Sequence, residues 1–536
     1  MSDDPLLEGL NPEQIAAVTH AGSPLLVVAG AGSGKTRVLT RRIAYLMARR
    51  NIRPYEILAI TFTNKAAGEM KERVAELVGP VAKSMWVSTF HSASVRILRQ
   101  EAHRLGYSNN FTIYDAADAQ RLISIVAKDM NLDPKRYPPK QFAHTISNAK
   151  NELLGPADYL NSTNNQYEQI TADVYTLYQK RLAQANAMDF DDLIMKTVEV
   201  LQRFPEAKAR FNSRFKHIMV DEYQDTNHAQ YIMIKELVGE SAELCVVGDA
   251  DQSIYGFRGA TIRNILQFEL DFVDAETILL EQNYRSTQNI LSAANAVIEQ
   301  NKDRKAKNLW SEAGAGSALV GYIAESEHDE AEFVSGEIKR LYAEGISNYG
   351  QTAIFYRTNA QSRVFEEVFM RSGLPYKVVG GVRFYERREV KDLLAYLKVL
   401  INLEDEVSLR RIINVPKRGI GDRAIDAVEE VMRLRGVSFW HALNNLGDDI
   451  PARTISTINN FVSLITTLHV LVEAETRPAV IMEAVLEQSG MMDELKSSKD
   501  PQDETRVENL EELVAVAMEF EESEGEEAKT LANFLE

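Results

Sequence analysis

The chain has 536 residues, 45% of them hydrophobic and 26% charged, with a net charge of −18 and a single cysteine, Cys245. That balance is typical of a water-soluble protein of roughly three or four domains. It excludes a disulfide-built scaffold, and no uninterrupted apolar run approaches the ~20 residues of a membrane span. The acidity is uneven: residues 501–536 carry 12 acidic and 2 basic side chains. The remainder is close enough to balance to hold a local basic groove, so charge neither excludes nor favours nucleic acid. The N-terminal stretch MSDDPLLEGLNPEQ lacks the basic-then-apolar pattern of a secretory leader. With one cysteine and no Cys/His zinc spacing, a reducing cytoplasm is expected.

Along the chain, short β-branched runs alternate with amphipathic helical stretches, which predicts parallel sheets covered by helices. Strands are expected at Leu25–Ala29, Ile57–Phe62, Trp86–Thr89, His217–Asp221, Leu244–Gly248 and Thr277–Glu281. Each runs into polar or glycine residues, where α/β folds place ligands. Between Phe111 and Gln184 the pattern is helical with no clear strand, which reads as an inserted subdomain. A second α/β unit follows, with strands near Thr352–Tyr356 and Tyr376–Val379, and from about Arg383 the chain is helical again.

The first strand leads into Gly30, Ala31, Gly32, Ser33, Gly34, Lys35 and Thr36, and then into a helix beginning near Thr36. Strand, glycine loop and helix form the context a phosphate-binding loop needs: backbone N–H groups and the helix N-terminus face the anion together. Only the first position of G-x-x-x-x-G-K-[ST] departs, as Ala29, and that position needs only a small residue. Lys35 would reach the β- and γ-phosphates and Thr36 would ligate Mg²⁺. The run HIMV ends in Asp221 and Glu222. Asp221 would hold Mg²⁺ through water, and Glu222 would orient and deprotonate the attacking water. In CVVGDADQ, Gln252 is placed to sense the γ-phosphate.

Taken with these segments, LNPEQ (10–14), TFTNKAA (61–67), TFHS (89–92), AMDFDD (187–192), DEYQDTNHAQ (221–230), VVGDADQSIYGFRGA (246–260), NYRS (283–286), FYRTNAQSR (355–363), GGVRFYERREVKD (380–392) and NVPKRGIG (414–421) occur in an order and spacing that resembles the UvrD/Rep/PcrA group of superfamily 1 DNA helicases. The resemblance covers the whole chain. It implies an α/β fold of RecA-like motor domains with two mainly helical inserted subdomains. The first motor domain would comprise residues 1–110 and 186–281, interrupted by a helical insert at 111–185. The second would span 282–380 and carry a helical insertion at 381–536.

The same resemblance implies residue roles. Gln14 would read adenine, Tyr284 would stack on it, and Arg285 would be an arginine finger from the second motor domain. The cofactor cradle would run from Ala29 through Gly30, Ala31, Gly32, Ser33, Gly34, Lys35 and Thr36 to Arg37. Phe62, Phe190, Tyr255 and Phe257 would stack bases of single-stranded DNA. Asn64, His91, Arg258, Arg357 and Asn359 would contact the strand. The alternative for each aromatic is core packing, which stacking outweighs at Phe62 and Tyr255 more than at Phe190. Lys417, Arg418 and Gly419–Gly421 could contact duplex DNA or simply form a structural turn.

The resemblance further implies ATP and Mg²⁺ as cofactors, 3′-to-5′ movement, single-stranded DNA and single-strand/duplex junctions as substrates, and repair or replication proteins as partners. A monomer with no membrane association is expected. Two departures stand out. Phe257 occupies a position that is usually Trp, which should weaken that stack. No segment similar to T-x-H-x-x-K-G-L-E or Y-V-x-x-T-R-A occurs before Glu536, which leads us to expect an incomplete second motor domain. The rival readings are the motor part of a helicase–nuclease subunit, for which no clustered-carboxylate region is evident, and an ATP-binding, DNA-binding module without motor activity.

Overall fold

The structure, a computed structural model, describes residues 4–535 except 241, 257–258, 303, 359–360, 380–386, 447–449, 499–500 and 524–528. Eight strands occur among the described residues: β1 (Leu25–Ala29), β2 (Ile57–Thr61), β3 (Trp86–Thr89), β4 (Thr112–Tyr114), β5 (Ala187–Asp189), β6 (His217–Val220), β7 (Glu243–Gly248) and β8 (Glu276–Leu280). Six of them form one parallel sheet in the order β3-β2-β6-β7-β1-β8. These are the six strands expected from sequence, with ends shifted by at most one residue.

Their near-continuous apolar runs follow from burial on both faces. Leu26, Val28, Leu58, Ile60, Ile218, Val220, Leu244 and Val246 point into one core, against Ala93, Ile97, Val198 and Ile234 of the helices Phe90–Glu101, Phe190–Arg203 and His228–Leu237. The alternate residues Leu25, Val27, Ile57, Ala59, Met219 and Val247 point into a second core, with Val38, Ile43, Met70 and Val74 of the helices Lys35–Arg49 and Asn64–Val78. Because β6, β7 and β1 are neighbours and parallel, the loops leaving their C-terminal ends meet at one edge. That adjacency builds the site.

Three expectations need correction. The 111–184 stretch does contain a strand, since β4 pairs in parallel with β5 in register Thr112↔Ala187 to Tyr114↔Asp189. Strands this short show too little alternation to be read, and the partner lies far along the chain. Thr352–Tyr356 and Tyr376–Val379 form no ladder among the described residues, and Phe355 and Val379 are 94% and 83% exposed. Their β-branched and aromatic composition favours extended backbone, but a strand also requires a neighbour to pair with. The helices Glu327–Ala343 and Ser362–Ser372 instead enclose a small core of Ala331, Val368, Phe369 and Leu374.

The third correction concerns the helical region. The helix Ala452–Glu473 does have the length and composition of a span. Ile458, Phe461, Ile465 and Leu468, spaced three and four apart, nevertheless bury one stripe of it in the core built around Leu393, Tyr396 and Leu400. Of the two readings of NVPKRGIG, the structure gives Arg418 the structural one. Its guanidinium donates to the carbonyls of Ile412 (3.1 Å), Val415 (2.8 Å) and Ser489 (3.2 Å) and to the Tyr396 hydroxyl (2.6 Å), while Lys417 is exposed.

Candidate nucleotide site and adjoining groove

The loop after β1 curls because Gly32 and Gly34 take φ of +69° and +87°, a region costly to any residue with a Cβ. Gly34 caps the helix Lys35–Arg49, so the unpaired N–H groups of its first turn face the loop. The Ser33 hydroxyl donates to the Gly30 carbonyl at 2.7 Å. Gln14 is fully buried: its amide nitrogen donates to the Ser33 carbonyl at 2.9 Å, and its oxygen accepts from the Asn11 N–H at 3.1 Å. The helix Pro12–Thr19 is thereby tied to the loop. Ala29 is buried at the end of β1, and Thr36 is half-buried in the helix's first turn. Arg37 is exposed and reaches back to Gly9.

The segment after β8 closes on the same loop. Asn283 donates to the Ala31 carbonyl at 2.5 Å, and the Tyr284 N–H donates to the Gly32 carbonyl at 2.9 Å. A Cβ on Gly32 would lie 2.6 Å from Asn283 and 2.7 Å from the Arg285 Cβ at a positive φ, so glycine is required there, while one on Gly30 would lie 2.2 Å from a Leu309 methyl, which would have to shift. The Tyr284 ring is half-exposed, and its hydroxyl accepts from the Asn11 amide at 3.0 Å. Arg285 is exposed beside Gly32.

From the end of β6, Asp221 and Glu222 face Lys35. The Lys35 ammonium lies 3.1 Å from Glu222 Oε2 and 3.3 Å from Gln252 Oε1. Burial, and then the neighbouring Glu222 charge, push the Asp221 carboxyl up to about 6, with Lys35 opposing them. Asp225 is pushed up to about 6 in the same way. Glu222 itself has φ +51°, a left-handed conformation held by a bond from its N–H to Asp221 Oδ1 at 3.0 Å. Gln224 donates to Glu222 Oε2 at 3.0 Å and accepts from the Asp249 N–H at 2.9 Å. Asp249 accepts from the Gln252 amide at 2.5 Å. The triad of lysine, carboxylate and glutamine therefore sits in a closed ring of hydrogen bonds.

A groove of about 700 Å³ lies at the ends of β2, β3 and β5, lined by Phe62, Asn64, His91 and Phe190 and, from the C-terminal region, by Phe520 and Asn533. Phe62 and Tyr255 have ring centroids 5.0 Å apart, and His91 meets Phe190 edge-on at 5.6 Å. Phe190 is 46% exposed despite following a strand. Burial lowers the His91 pKa, disfavouring the charged imidazolium.

Residues 10–273 match the family described as UvrD/REP helicase N-terminal domain, and residues 278–536 match the UvrD-like helicase C-terminal domain. The chain belongs to the UvrD/Rep helicase family. Among relatives, the ATP-dependent DNA helicase UvrD1 of Mycobacterium tuberculosis is 56% identical over 532 residues, covering 96% of this chain and 69% of the relative. The ATP-dependent DNA helicases PcrA of Bacillus subtilis and Staphylococcus aureus are 46% and 48% identical, covering 99% of this chain and 71% and 72% of theirs.

Against the sequence expectations for a helicase of this family, the structure brings Gln14, the 29–36 loop, Asp221, Glu222, Gln252, Tyr284 and Arg285 to one edge. It gathers Phe62, Asn64, His91 and Phe190 into the adjoining groove, with Tyr255 packed on Phe62. Arg357 is exposed and lines a different cavity, beside Phe355 and the helix Glu327–Ala343. Phe257, Arg258 and Asn359 lie outside the described residues. Sequence reasoning missed Gln224, Asp249, Asn283 and Leu309. Three of these stand within the quoted DEYQDT, GDADQ and NYRS segments, where their polarity next to Glu222, Gln252 and Tyr284 was the available signal.

Proposed function

We propose that this UvrD/Rep-type chain hydrolyses ATP at the loop after β1 and uses it to move 3′ to 5′ along single-stranded DNA at junctions with duplex. On this reading it acts as a cytoplasmic monomer in repair or replication restart. The observation that carries the reading is the junction at Gln252 and Tyr255: Gln252 touches Lys35, and three residues later Tyr255 packs on Phe62, which lines the groove. A change in what Gln252 contacts is transmitted to the groove within one short loop. That gives a two-state element which nucleotide can bias.

In this mechanism Lys35 and the helix N-terminus bind the phosphates, Glu222 orients water and accepts its proton, and Gln252 senses the terminal phosphate. Arg285 delivers charge from the second domain, while Gln14 and Tyr284 hold the base. Thr36 and Asp221 would hold Mg²⁺. Among the described residues there is no group of three or more His, Cys, Asp or Glu that could hold a metal by itself. Mg²⁺ takes one or two carboxylates together with substrate phosphates, and Asp221 at the end of β6 beside Lys35 supplies such a carboxylate. When bound, the ion neutralises phosphate charge.

Base stacking sets the second expectation. Phe62→Ala and Tyr255→Ala should each weaken single-strand binding by about 1–3 kcal/mol, whatever the sequence. Fluorescence anisotropy with labelled oligonucleotides measures this, and unchanged affinity in both variants would remove the groove from the reading. The 536-residue chain alone is expected to bind ATP but to unwind poorly, because the 352–356 and 376–379 segments lack sheet partners among the described residues. Robust strand separation by the purified chain would overturn that part. DNA-stimulated ATP hydrolysis tests the whole reading and separates a motor from a passive binding module.

A further inference from the structure

A basic pair, Lys307 buried and Arg304 partly so, lies behind the ring of hydrogen bonds, in the segment KDRKAKNLW that no motif marked. Lys307 is 9% exposed, and its ammonium is ion-paired with both Asp249 and Asp251. Arg304 grips Asp251 with two bonds of 2.9 and 2.6 Å and donates to the Lys307 carbonyl at 3.2 Å. Asp249 and Asp251 belong to the region matched to the N-terminal helicase domain, whereas Arg304 and Lys307 belong to the region matched to the C-terminal one. Two residues on, Leu309 rests on Gly30 of the phosphate loop. The cluster therefore crosses from one matched region to the other at the back of the nucleotide site.

Its connection inward is short. Asp249 carries Lys307 on Oδ1 and the Gln252 amide on Oδ2, and its N–H holds Gln224. Gln252 and Gln224 in turn hold Lys35 and Glu222. Without Lys307 the Asp249 carboxylate would lose its counter-ion and draw a replacement donor from its surroundings. Donors joined to it through the ring are the Gln252 amide, already bound there, and Lys35, which Gln252 in turn accepts from. Either rearrangement moves the groups that face the terminal phosphate.

We propose that Lys307, supported by Arg304, is a positioning residue that transmits the placement of the second-domain segment through Asp249 to Gln252 and Glu222. It sets the rate of hydrolysis rather than nucleotide affinity. This rests on the ATPase reading above, and the wild-type chain controls for that: absence of single-strand-stimulated hydrolysis in wild type would sink the reading itself, and this proposal with it.

The test is steady-state ATP hydrolysis with oligo(dT) by wild type, Lys307→Gln, Lys307→Arg and Arg304→Gln, alongside thermal melting. For Lys307→Gln, kcat should fall about 10-fold or more while KM for ATP stays within about 3-fold, and Lys307→Arg should recover most of the loss. Arg304→Gln leaves Lys307 in place to neutralise Asp249. It should lower kcat in the same direction by a smaller factor, and it carries the test if Lys307→Gln does not fold. Unchanged kcat in Lys307→Gln, a KM that rises in step with the loss, or no recovery in Lys307→Arg would each overturn the proposal. So would an Arg304→Gln variant with wild-type kcat.

Discussion

Lys35→Ala is expected to lower ATP hydrolysis by about 10³-fold or more, whether or not DNA is present. Lys35 is the cation directly facing both Glu222 (3.1 Å) and Gln252 (3.3 Å), at the first turn of the helix that receives the phosphates. Removing it takes away a charge aimed at the developing negative charge of the transition state. It also leaves the Asp221–Glu222 pair, where burial and then the Glu222 charge already raise Asp221, without the opposing charge of Lys35. Turnover and nucleotide affinity should therefore both suffer. Because the side chain leads into the nucleotide site and not into either core, the variant should still melt cooperatively. A steady-state assay with a thermal melt alongside separates loss of chemistry from loss of fold.

Glu222→Gln has the second-largest expected effect: kcat should fall by about 10²–10⁴-fold while ATP still binds. Glutamine keeps the shape and can still accept from Lys35, but it cannot take a proton from water. The backbone supports this assignment independently. Glu222 sits at φ +51°, where a residue with a long side chain is strained, and Asp221 Oδ1 and the Asp225 N–H hold it there. Strain maintained by surrounding bonds clusters at functional sites. Nucleotide binding measured with a fluorescent ATP analogue, together with turnover, distinguishes the two predictions. Glu222→Gln should bind and not hydrolyse, whereas a variant that hydrolyses at wild-type rate would move the base elsewhere.

Much of this was legible in the sequence because the informative interactions are local. The six strands of the main sheet read as apolar runs since each is buried on both faces, as the alternation of Leu25–Ala29 between two cores illustrates. The phosphate loop reads from its glycines because their backbone conformation admits little else. The carboxylates read from their place at the end of β6. Less was legible where partners lie far apart in the chain. The β4–β5 ladder joins three-residue strands from either side of a long helical insertion. Thr352–Tyr356 has the composition of a strand, but pairing depends on a neighbour that composition does not reveal. The same holds for Arg418, whose charge suggested DNA as readily as a turn until its carbonyl partners were in view, and for Lys307, whose carboxylate partners stand in a different matched region.

The most direct measurement is the ATP hydrolysis rate of the purified chain with and without single-stranded DNA. A motor in which Gln252 and Tyr255 join the nucleotide site to the groove should be stimulated many-fold by oligo(dT), with the stimulation reduced in Phe62→Ala and Tyr255→Ala. A rate indifferent to single strands, or stimulation that survives loss of both rings, would contradict the coupling of the two sites.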